Sequence, residues 1–197
     1  MGNVLGVSRR QSLPPLRCVT SRTPPINPAF TVRCYRWRMS NYLRPQVSAA
    51  NIFFTVALAS RGGSLLTDEI TRLRWAVAVT RAERHFAIGA WVVLPDHMHC
   101  IWTLPAGDPD FSTRWRLIKA RFSRGLPEGP LRRSHVSRQE RGIWQRRFWE
   151  HHIRDQADMD AHLRHCWFNP VKHGLVDRPE AWPYSSVHRE IAAGRFG

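Results

Sequence analysis

Apolar and polar positions alternate along most of this chain in two different rhythms, and the change of rhythm marks its elements. Residues 51–59 (NIFFTVALA) form an apolar run of strand length, rich in residues that favour a buried strand. Gly62-Gly63 then turn the chain, and Thr67-Asp68-Glu69 open a helix with a hydroxyl cap and acids in the first turn. Ile70, Leu73, Val77 and Ala78 recur at helical spacing, and the pattern ends near Arg84. Residues 86–94 read as a second strand, Pro95-Asp96 as a tight turn, and residues 97–104 as a returning third strand, so the two strands form a hairpin. Residues 112–124 read as a second helix, and residues 125–142 as a loop rich in Gly, Pro and Arg. Residues 143–153 (IWQRRFWEHHI) read as a fourth strand. Residues 155–168 read as a third helix, capped by Asp155 and ended by Asn169-Pro170. Residues 171–197 read as a Pro- and Trp-containing tail over the surface. The first six elements match a ferredoxin-like split βαβ arrangement, an α+β fold with an antiparallel sheet and one additional C-terminal helix.

Composition changes the picture in one respect above all. Net charge is +15, and lysine occurs only at Lys119 and Lys172, so arginine carries nearly all of it. Arginine forks onto phosphate oxygens and stacks on bases, and with nine tryptophans present this imbalance points to nucleic acid. Arg114, Arg116, Lys119, Arg121 and Arg124 lie on or beside the second helix, and Arg146 and Arg147 follow in the fourth strand. Trp115, Trp144 and Trp149 interleave with them, which suits stacking on unpaired bases. The same tryptophans can serve as core, and Trp149 is expected there.

The four cysteines form no CxxC pair, a reduced, cytoplasmic pattern, and no apolar stretch reaches the roughly 20 residues that span a bilayer. Residues 1–38 stand apart: seven arginines, five prolines and no acid. Three readings are open for them: a DNA-grasping arm, an organellar transit peptide, or a start placed upstream of Met39. The expected organisation is therefore a basic extension (1–38), a globular domain (39–186) and a short tail (187–197).

His97-Met98-His99 is the candidate chemistry. Two histidines one residue apart on a strand project from one face, where they can hold one divalent cation between them. Met98 and Cys100 should point the other way, into the core.

Several segments, in order, carry a resemblance. They are Tyr42-Leu43-Arg44, Phe53-Phe54-Thr55-Val56, Pro95-Asp96-His97-Met98-His99, Phe148-Trp149-Glu150-His151, Ile153-Arg154-Asp155, residues 169–176 (NPVKHGLV) and Trp182-Pro183-Tyr184-Ser185-Ser186. On these the chain resembles the REP-associated tyrosine transposases, single-tyrosine members of the HUH endonuclease group. The resemblance implies a ferredoxin-like core and a divalent cation, Mg2+ or Mn2+, held by His97, His99 and Asn169. It implies single-stranded or hairpin DNA of the repetitive extragenic palindrome type as partner, with Lys172 on the DNA side, and a monomer or homodimer. It also implies a tyrosine nucleophile four residues before Asn169. That position is His165. The flanking segments align without a gap, so this is a substitution. Three consequences are open: loss of strand transfer, a histidine nucleophile, or rescue by another residue or by water attacking a metal-polarised phosphate. The functional readings are thus a DNA-cleaving and strand-joining transposase, a hairpin-binding protein without catalysis, or an RNA-binding protein using the same surface.

Overall fold

The computed structural model describes residues 50–131 and 140–196. The expectations on residues 1–38, on Tyr42-Leu43-Arg44 and on positions 132–139 of the Gly-, Pro- and Arg-rich loop lie outside the described residues.

Four strands form one sheet: β1 (Asn51–Ala57), β2 (Ala87–Val93), β3 (His97–Thr103) and β4 (Trp149–His152), in the order β2-β3-β1-β4. All three pairings are antiparallel. This is the ferredoxin-like order, and a hairpin joins β2 to β3 as the Pro95-Asp96 turn requires.

Strand alternation sorts the side chains into two layers. Ile52, Phe54 and Val56 of β1 and Met98, Cys100 and Trp102 of β3 face the larger core. That core is closed by α2 (Ile70–Glu83) and α3 (Phe111–Ser123), which contribute Leu73, Val77, Trp115, Ile118 and Phe122. Phe53, Ala90, Val92 and Ile101 face the other way, against Cys166 of α4 (Gln156–Lys172). Helix α4 is therefore the added element, laid on the face a plain split βαβ sheet leaves open. Met98 and Cys100 do point away from the histidine face.

Local reading and structure differ at several places. The first helix is broken: a single turn, α1 (Leu65–Asp68), precedes α2, because Ser64 rather than Thr67 starts the first turn, its carbonyl accepting from Thr67 N–H and Asp68 N–H. The fourth strand is only four residues long; before it, Trp144 makes an isolated bridge to Leu58. Asp155 caps α4 as expected, accepting from Asp158 N–H at 2.8 Å. Asn169-Pro170 does not end that helix. Pro170 lacks only the N–H that would bond the Cys166 carbonyl, and the helix runs on to Lys172. It stops where Gly174 takes a positive φ of 66° and Leu175 N–H closes onto the Pro170 carbonyl.

The expected tail is likewise structured. Tyr184 and Ser186 pair with the outer edge of β2, through Val93 N–H to the Tyr184 carbonyl (2.9 Å) and Ser186 N–H to the Trp91 carbonyl (2.7 Å). A short helix, α5 (Val187–Ala192), follows with Val187 fully buried.

Candidate functional site

β3 is an inner strand, and its odd positions deliver His97 and His99 to the face that α4 covers. Both rings are buried. His97 Nδ1 lies 2.6 Å from Asp96 Oδ1. A carboxylate only accepts, so Nδ1 carries the proton and Nε2 keeps its lone pair. Asp96 is itself held by the Gly62 N–H at 2.8 Å and by Arg61 at 3.0 Å. Burial opposes its charge, but the Gly62 N–H, the His97 ring and Arg61 together hold its carboxyl below the usual range. His99 Nδ1 lies 2.9 Å from Thr55 Oγ1; with Nδ1 donating, its Nε2 is free in the same way.

Helix α4 supplies the other half. His165, Asn169 and His173 recur every four residues and so share a helical face. His165 packs edge-on against His99 (centroids 4.7 Å) and His173 against His97 (5.1 Å). His97 and His99 lie 5.1 Å apart. Four imidazoles and one amide thus form a single cluster, open to solvent at exposed His173. The amide of Asn169 is assigned so that Nδ2 donates to His165 Nε2 at 3.1 Å. Its Oδ1 is then buried with no hydrogen-bond partner among the described residues. A buried acceptor left unpaired is costly. An amide oxygen beside two imidazoles with free Nε2 atoms is a donor set a divalent cation can satisfy, with water and phosphate completing the shell. The residues present therefore fit the ion that the resemblance implies.

The electrostatics keep these rings neutral, the form that binds metal. Burial pulls His99 well below the usual imidazole value, and His165 and His97 add to it. Burial, then Lys172, lowers His165 to about 4. Burial lowers His97 more than Asp96 raises it, and His173 is lowered by burial and by Lys172.

The expected DNA-binding residues divide sharply. Arg114 is a correction: it is fully buried. Its guanidinium clamps Asp108 (2.8 and 3.1 Å) and donates to the carbonyls of Arg84, His85 and Asp110. No donor remains for a phosphate. Its place could have been read, because Phe111, Arg114, Trp115, Ile118 and Phe122 form one helical stripe. Arg121 is engaged by Glu83 and Thr80, Arg146 by Glu140, and Lys119 by the Gln145 carbonyl. Arg116, Arg124, Arg147 and Lys172 are exposed and make no ion pair among the described residues. Arg116, Lys119, Arg146, Trp144 and Phe148 line a cavity of about 460 Å³ on the α3 side of the sheet. Trp115 and Trp144 are core, whereas Trp149 is 40% exposed, the reverse of the expectation for Trp149.

Sequence reasoning gave no part in the site to Asp96, Thr55 or His173. Asp96 adjoins the histidine pair, and His173 stands at Asn169 plus four, so both carried a positional signal; Thr55 is revealed only by the β1–β3 register. A second cluster was also missed: His151, Asp158 and His162 bring potential ligand atoms within 4.8 Å of one another. Asp158 Oδ2 already accepts from His151 Nε2 (2.8 Å) and from Arg154 Nε (3.0 Å), and Oδ1 lies 3.1 Å from His162 Nδ1. The cluster is closed by its own hydrogen bonds and buttresses β4 against α4.

An imidazole-bearing inner strand in a ferredoxin-like sheet, met by an added helix, is the architecture expected from the resemblance to the HUH group. The REP-associated tyrosine transposase of Escherichia coli (strain K12) is 46% identical over 160 residues, covering 80% of this chain and 88% of that protein. A provisionally named REP-associated tyrosine transposase of Haemophilus influenzae is 44% identical over 158 residues, covering 79% and 89%. A solved structure of a REP-associated tyrosine transposase bound to a REP hairpin superposes with a TM-score of 0.70 at 45% identity, covering 81% of this chain and 89% of that one. No family model matches. The chain belongs to the REP-associated tyrosine transposase family.

Proposed function

We propose that this chain binds REP-type hairpin DNA, keeps a divalent-cation site at His97, His99 and Asn169, and does not form a covalent protein–DNA intermediate. Hairpin binding is supported by the family and by the hairpin bound in the related structure. The cation would be Mg2+ or Mn2+, and when bound it would polarise a phosphate oxygen.

The loss of strand transfer rests on one observation: His165 occupies the nucleophile position and its Nε2 lone pair accepts from Asn169 Nδ2. In the neutral ring the other nitrogen, Nδ1, then carries the proton. The lone pair that would attack phosphorus is then the one the Asn169 amide engages. The side chain serves instead to orient the amide, turning Oδ1 away from His165.

The test is a labelled hairpin with a single-stranded extension, incubated with Mn2+ and run on a denaturing gel. Wild type should shift the hairpin on a native gel and give no covalent band. His165→Tyr, which restores a phenol to an otherwise intact site, should give one. A covalent wild-type band that disappears in His165→Ala would refute this reading in favour of a histidine nucleophile.

A further inference from the structure

Trp149 opens β4, which pairs only with β1 and so forms one edge of the sheet. It is among the most exposed large apolar side chains described, at 40%. It is not loose. The His151 ring lies parallel to it (5.8 Å, 7°), and His162 lies parallel behind His151 (4.6 Å, 14°). The edge of Phe53 meets it at 5.6 Å and 71°. His151 is fixed in turn by the buried carboxylate of Asp158. The indole is thus stacked on a ring that Asp158 holds, meets Phe53 at a steep angle, and keeps 40% of its surface exposed.

Its position relates it to the histidine cluster. In the sheet register Trp149 stands opposite Thr55, and Thr55 stands opposite His99. Trp149 and His99 share one cross-strand row, two strand spacings or roughly 10 Å apart. Phe53 bridges them, touching Trp149 on one side and His99 and His165 on the other. Arg147, exposed and without an ion pair among the described residues, precedes Trp149 by two positions. A pre-positioned aromatic ring two residues from an exposed arginine matches an unpaired nucleotide: the ring takes the base and the cation can reach its phosphate.

We infer that Trp149 is a stacking site for an unpaired base of single-stranded DNA, holding the strand that leaves the hairpin stem one nucleotide's reach from the histidine cluster. This rests on the hairpin-binding reading above. Because the platform is pre-organised, little side-chain freedom is lost on binding.

The test compares a blunt hairpin with hairpins carrying 5′ or 3′ single-stranded extensions, by fluorescence anisotropy at fixed salt. Trp149→Ala should weaken binding of the extended hairpin that wild type prefers by about 5- to 150-fold, the range for one base–aromatic stack. Affinity for the blunt hairpin should stay within about two-fold of wild type. Trp149→Phe should retain most of the preference and Trp149→Leu should lose it. Should Trp149→Ala not fold, Trp149→Leu carries the comparison. 2-Aminopurine placed along the extension adds an independent reading: one position should be quenched on binding wild type and not on binding Trp149→Leu. Equal losses for blunt and extended hairpins, or no loss for either, would overturn the assignment. Wild type binding neither hairpin would overturn the hairpin reading itself, and the blunt arm separates the two failures.

Discussion

Protonating the histidine cluster should destabilise this domain from the inside, and His165 allows the size of the effect to be worked out. Its pKa in the fold is about 4, because burial, with Lys172 second, disfavours the imidazolium. In the unfolded chain it returns to about 6.5. Above pH 7 both states hold the ring neutral and the full stability is present. As pH falls below 6.5 the unfolded state takes up a proton that the folded state refuses, so stability falls until about pH 4. Between pH 7.5 and 5.0 this one ring should cost about 2 kcal/mol. The assay is urea unfolding of wild type and His165→Gln at both pH values. Contributions from His97 and His173, shared by both proteins, largely cancel in the comparison. His99 adds in the same direction, because His165 is one cause of its own lowered value. The variant should therefore lose about 2 kcal/mol less than wild type on acidification. Parallel losses in the two proteins would show that His165 is not held neutral by its surroundings, and the account of the cluster as an array of neutral ligands would fall with it.

Two further outcomes follow from the division of the arginines. Arg114→Ala should destabilise the fold by about 2–4 kcal/mol in urea, since it strands the His85 carbonyl and removes the counter-ion of Asp108. Hairpin affinity at saturating folded protein should barely change, and a large affinity loss would return Arg114 to the DNA surface. Arg147→Ala should do the opposite, leaving the urea midpoint in place while lowering affinity. Across salt concentrations, about six neutralised phosphates should give a log–log slope near −5 for the hairpin stem, and a flat response would contradict a phosphate-binding surface.

Periodicity made much of this fold legible. The β2–β3 hairpin, the histidine face and the packing of Met98 and Cys100 on the opposite side all follow from a repeat of two. The errors came where a local signal met a tertiary one. Pro170 looked like a helix stop, yet it removes one hydrogen bond, while Asn169 and the residues around it are held by packing against the sheet. Trp149, expected in the core, is exposed because β4 is too short for its alternation to show which face is covered; only its pairing with β1 decides that. Arg114 was read by its charge, although its spacing from Phe111 and Ile118 already placed it in the apolar stripe. The site itself was legible as far as the strand pair, His165 and Asn169. Thr55 was not, since no spacing within β1 foretells which β3 residue stands opposite it.

The sheet's two flanks also bear on how the molecule is made. β2 is sealed by Tyr184 and Ser186, roughly ninety residues downstream, and β1 waits equally long for β4. During synthesis at about 5–20 residues per second, the three-stranded β2-β3-β1 sheet therefore emerges from the ribosome with both borders unpaired for several seconds. In that interval it is the piece of the chain most open to chaperones and to mispairing with a neighbouring nascent copy.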